Sequence, residues 1–165
     1  MAGVRLTGDA LWRRLRELDD PDHLERPADF DRAATAERFE MLVERLERVF
    51  RCRCTADPDE QDASFWGTVR VPAEATRTGA QLVVCVSNFG SLVTVSVENP
   101  GAYDAEETAV LLDPEDEARV EGALDHLGYV VVPEQELWRD YDGPSEFIVG
   151  AGHGGTWWTR FFDWF

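Results

Sequence analysis

Three clusters in the sequence contain residue types capable of chemistry. Gly150-Ala151-Gly152-His153-Gly154-Gly155 satisfies the G-x-G-x-x-G pattern, follows the apolar run Phe147-Ile148-Val149 and precedes a helical stretch. In that context glycines let a pyrophosphate approach the backbone. A dinucleotide site also requires a second strand bearing an acidic residue about 20 residues further on, whereas this sequence runs only ten residues past Gly155 and contains no lysine. The expectation is a flexible hinge over 150 to 155, leaving His153 as the one histidine whose glycine flanks admit a ligand, with Arg160 close in sequence. His23 and His126, in a polar loop and near a helix end, read as surface residues.

Cys52 and Cys54 stand two apart and Cys85 could join them from a neighbouring strand. Zinc needs four ligands, and no His or Cys pair elsewhere supplies the remainder, so buried free thiols are expected. The acidic loop Asp57-Pro58-Asp59-Glu60-Gln61-Asp62 starts like a calcium loop, but Asp62 stands at its sixth position and Thr68 at its twelfth, where glycine and glutamate are required. Asp140-Tyr141-Asp142-Gly143 brings its glycine at the fourth position. Neither G-x-S-x-G nor H-E-x-x-H occurs. No metal, cofactor or catalytic residue is expected, and the reading leans away from an enzyme.

The charge is more informative. The formal net charge is -17, and residues 1 to 54 carry 12 Asp/Glu against 11 Arg while residues 55 to 165 carry 21 against 5. Such a field repels phosphate backbones and anionic membranes and attracts basic partners. Sparse cysteine, an N-terminus without an apolar signal core and the short longest apolar run, Leu82 to Val86, predict a cytoplasmic protein that neither enters a membrane nor binds nucleic acid.

The elements that must position these residues follow from periodicity. Leu11, Leu15 and Leu18 predict a first helix capped by Asp9, and Phe39, Leu42, Val43, Leu46 and Phe50 predict a second from about Asp31 to Val49. Phe50, Cys52 and Cys54 then alternate with Arg51 and Arg53, which predicts an edge strand. Phe65 to Val71, Gln81 to Ser87 and Leu92 to Val97 predict three more strands, the second apolar on both faces and therefore central, with a hairpin turn at Asn88 to Ser91. Asp113, Pro114, Glu115-Asp116-Glu117 and Gly128 bound a further helix. Tyr129 to Val132 predicts a short buried strand ended by Pro133. The tail Thr156 to Phe165 holds three Trp and three Phe, with Thr156, Thr159, Arg160 and Asp163 on one polar stripe. That pattern is a short helix, nearly engulfed and docked on its own sheet. The whole is a single α+β domain over 1 to 165, charge-balanced and helical over 1 to 54, acidic and sheet-containing over 55 to 165, with about four to five mostly antiparallel strands.

Three functions compete on this basis. The first is a non-enzymatic acidic module that binds or inhibits a basic protein, through Asp57, Asp59, Glu60 and Asp62 and through Trp138, Asp140, Tyr141 and Asp142. Small acidic α+β immunity proteins of bacteria offer an analogy of class, carried by no motif. The second is a small-molecule-binding domain or enzyme with a pocket near Trp66, Trp138 and His153, assisted by Arg160. The third is a structural or oligomeric domain, with a homodimer contact through the aromatic tail.

Overall fold

The computed structural model describes residues 4–147 and 155–163. Helices α1 (Gly8–Leu18) and α2 (Arg32–Phe50) open the fold, followed by strands β1 (Thr55–Asp57), β2 (Phe65–Val71), β3 (Leu82–Ser87) and β4 (Leu92–Val97). Helices α3 (Ala105–Leu111) and α4 (Pro114–His126), strand β5 (Val130–Val131), a 3-10 turn over Glu134–Trp138 and helix α5 (Trp157–Phe162) complete the α+β fold. The sheet order is β1-β2-β3-β4-β5, antiparallel from β1 to β4, with β5 parallel to β4.

Layering follows from side-chain alternation along the central strands. Leu82, Val84 and Val86 of β3 join Val93 and Val97 of β4 beneath Phe39, Leu42 and Leu46 of α2 and Val120 and Leu124 of α4. Cys85 of β3 and Leu92 of β4 face the opposite side, against Leu11 and Leu15 of α1 and the aromatics of α5. Both faces of the sheet are thus covered, which is why all six residues of β3 are buried.

The tail docks on its own domain. Trp157, Trp158, Phe161 and Phe162 are buried, and Phe161 packs edge-on against Phe89 at 5.4 Å. The tail's expected polar stripe is not a wet one. Thr156 and Thr159 cap the helix reciprocally, and Arg160 turns inward, 0% exposed, onto Asp19 at 2.7 Å. The Arg160 Nη atoms donate to the carbonyls of Leu24, Asp20 and His23 at 3.0 to 3.1 Å, and Tyr141 and Ser145 donate their hydroxyls to Asp19. This node ties α5 to the loop after α1.

Two local expectations are corrected. Residues 50 to 54 are not a strand: α2 continues through Phe50, Arg51 turns left-handed at φ 53°, and the Cys52 amide bonds back to the Glu47 carbonyl. The alternation there is the last helical turn followed by its cap. Cys52 and Cys54 are half-buried with sulfurs 3.9 Å apart, and β1 begins at Thr55. The cap position of α1 is Thr7, with Asp9 in the first turn and no side-chain cap bond. Asp104 and Glu107 form a capping box that starts α3. Residues 148 to 154, which include His153, the expected strand end and most of the hinge, lie outside the described residues, as do Trp164 and Phe165.

Candidate functional site

The two acidic segments singled out in the sequence lie apart, one at the β1 edge of the sheet and the other against α1 and α5. Asp57 belongs to β1, and Asp59, Glu60 and Asp62 follow it in the loop to β2, whereas Trp138 to Asp142 follow β5. Within the first segment Asp59 pairs with Arg32, and Glu60 is held above the ordinary carboxylate range by burial and by the charges of Asp57 and Asp59. In the second, Asp142 is engaged structurally. It pairs with Arg16 at 3.0 Å, accepts from the Trp157 indole at 3.3 Å, and is held low first by the Arg16 hydrogen bond. Tyr141 is committed to Asp19, and its phenol is raised by burial and by that carboxylate. Asp140 is exposed and bridges antiparallel to Thr156.

Trp138 is different. It is 39% exposed, yet it is fixed: its indole N–H donates to Glu134 at 2.7 Å, and its ring stacks on Trp158 at 5.0 Å and 22°. Glu134 is buried, and its other oxygen accepts from the Ser96 hydroxyl at 2.6 Å. Gly101, at φ 81°, lies against the ring edge, where an added Cβ would come within 3.2 Å of Trp138. One side of the ring is covered by the protein and the rest is presented outward.

Two adjoining clefts open beside it. One, of about 620 Å³, is lined by Gly101, Tyr103, Asp104, Gln135 and Trp138. The other, of about 310 Å³, shares Ala105 and Gln135 with the first and reaches down to Glu134 and Val95. Its origin is topological. β5 pairs with β4 only at Leu92 and Val93 before Pro133 ends it, and α3 stands off the rest of the β4 edge. The amides of Val130 and Val132 donate to Ser91 and Val93, so by alternation the main-chain groups of Val95 also turn toward this side. At the mouth, Arg5 pairs with Glu117 at 2.9 Å and with Glu121.

The rim is acidic and partly apolar. Asp104, Glu106 and Glu107 of the α3 N-terminus are exposed, and Val110 in the same helix is 78% exposed. A flat aromatic beside carboxylates can receive a cation over its ring, worth about 0.5 to 2 kcal/mol. Among the described residues no three His, Cys, Asp or Glu side chains gather to hold a metal ion, and no helix is long and apolar enough to cross a membrane.

The pocket expected near Trp66, Trp138 and His153 is not assembled by the described residues. Trp66 lies on the α2 side of the sheet, in a groove of its own, while Trp138 stacks on the α5 side. Arg160 is fully committed to Asp19 and three carbonyls. Sequence reading missed Glu134, Ser96, Tyr103 and Val110. The D-x-x-E spacing of Asp104 and Glu107 was the available signal for α3, and hence for Tyr103 and Val110 beside it. Comparison with family models, with curated proteins and with solved structures returns no match.

Proposed function

We propose that the chain is a non-enzymatic acidic module that docks a basic partner protein on the face formed by Trp138 and α3, as an inhibitor of a basic toxin would. The observation that carries this reading is Trp138, exposed but immobilised by Glu134 and Trp158. An aromatic ordered before binding loses little rotamer entropy on contact, and tryptophan is the side chain most enriched at interface anchors. Half-buried Tyr103 lines the same cleft as Trp138, and exposed Asp104, Glu106 and Glu107 at the start of α3 add charge that steers a basic surface. The acidic loop over Asp57 to Asp62 adds to the long-range field from the far edge of the sheet and makes no direct contact in this reading.

The test is affinity capture from native lysate of the source cells with wild type and with Trp138→Ala, at low and at high salt, followed by reconstitution with the purified captured protein. A basic protein bound by wild type, weakened by salt and lost from W138A supports the reading. Equal capture by both chains, or a captured protein that is acidic, contradicts it.

A further inference from the structure

A second site lies at the other edge of the sheet, independent of the Trp138 face. Trp66 is the extra residue of a bulge. Phe65 pairs with Ser87 and Gly67 with Val86, leaving Trp66 out of the β2–β3 register. Bulges re-aim side chains, and here the indole passes to the α2 side while Phe65 stays on the α5 side. Gly67 permits the close approach that closes this corner, since a Cβ there would come within 2.9 Å of the Pro58 Cα.

Trp66 lines a groove of about 520 Å³ between α2 and the β1 edge, whose walls are Ala36, Phe39, Val43, Ala56 and Pro58. The indole is 2% exposed, and its Nε1 is buried with no hydrogen-bond partner. A buried donor left unmade is costly and calls for an acceptor. The described residues supply none. Phe30 packs at a tilt against the ring at 6.0 Å, and the Arg32 guanidinium lies over it at 5.8 Å, held by Asp59 across the groove. With Arg32 neutralised by Asp59, the remaining charges on the rim are Glu40 and Glu44, so an anionic acceptor is repelled.

We infer that the groove between α2 and β1 is a binding site for a small, uncharged, mostly apolar molecule whose carbonyl oxygen accepts from the Trp66 indole N–H. Its volume is that of an ordinary ligand pocket. The apolar body of the ligand meets Phe39, Val43 and Pro58, and the single polar contact fixes its orientation.

The experiment uses the full chain labelled with nitrogen-15 and follows the six Trp indole signals, that of Trp66 being assigned by its absence in Trp66→Phe. The probes are cyclohexanone and, as an anionic analogue of similar shape, cyclohexanecarboxylate. Cyclohexanone is expected to move the Trp66 indole proton downfield in a saturable manner, with affinity about fivefold lower in W66F, the worth of one hydrogen bond. Cyclohexanecarboxylate is expected to bind more weakly than the ketone. Should W66F fail to fold, Ala36→Leu keeps the indole and fills the groove, and it must abolish the shift. An unmoved Trp66 signal, an affinity unchanged in A36L, or tighter binding of the carboxylate each overturns the inference.

Discussion

Removing the Arg160 side chain should undo the docking of α5. In the native chain Arg160 and Asp19 both have fully buried side chains. The guanidinium makes four hydrogen bonds, one to the carboxylate and three to main-chain carbonyls, and it lies over the rings of Phe89 and Phe161 at 4.8 and 5.0 Å. Arg160→Met keeps the volume approximately and deletes every donor. What remains is a buried carboxylate served, among the described residues, by Tyr141 and Ser145. Breaking a buried pair from one side costs about 3 to 5 kcal/mol, and the loop carbonyls regain part of their solvation because Asp20, His23 and Leu24 are only half-buried. The expected loss is therefore about 4 kcal/mol, a large share of the roughly 5 to 15 kcal/mol that holds a domain together.

Urea denaturation measures that loss as a lower midpoint, and thermal melting as a drop of about 8 to 16 °C for a chain of this size. Arg160→Lys keeps the charge without the planar fork and should lose about half as much. Asp19→Asn should cost about 3 kcal/mol, and the double variant R160M/D19N less than the sum of the two by about 2 kcal/mol, since each single change strands the other partner. A loss below about 1 kcal/mol in R160M, or strict additivity in the double variant, would refute the assignment of this node as the tie between α5 and the loop after α1.

Other outcomes follow from single contacts. Gly67→Ala should cost about 2 kcal/mol by forcing Asp57 and Pro58 away from β2, read as a lower urea midpoint and faster amide exchange over β1. Glu134→Gln leaves one oxygen to serve both Ser96 and Trp138 and should lower stability by about 1 to 2 kcal/mol while shifting Trp138 fluorescence. Burial pushes the Cys54 thiol up to about 12 and, against a partial offset from Arg38, the Tyr129 phenol up to about 12. The folded chain then retains protons that the unfolded chain releases from about pH 9 upward. Stability should be flat from pH 7 to about pH 9 and fall as pH climbs toward about 12, with a shallower fall in Cys54→Ser and Tyr129→Phe.

How much of this was legible in the sequence depends on the range of the interaction. β3 announced its central place because Leu82 to Val86 is apolar on both faces, and α4 announced its bounds because Asp113, Pro114 and Gly128 act on their own backbone. These are local effects. The aromatic tail was readable as a buried helix by its period, but the partner of Arg160 stands 141 residues away, and no local pattern encodes such a pairing. The same holds for Ser96 and Glu134, 38 residues apart, which together fix Trp138. Residues 50 to 54 misled because a final helical turn with a left-handed cap reproduces a two-residue alternation over a short stretch. The acidic segments were visible as composition, but only the fold placed one at the β1 edge and the other against α1 and α5.

The role proposed for Trp138 is to anchor a basic partner. Its most direct test is calorimetric titration of the purified, captured partner into wild type and into Trp138→Ala at two salt concentrations. W138A is expected to lose at least about 30-fold in affinity, the cost of about 2 kcal/mol for an interface anchor, and both chains are expected to bind more weakly at the higher salt. Affinity unchanged by the substitution, or binding indifferent to salt, contradicts it.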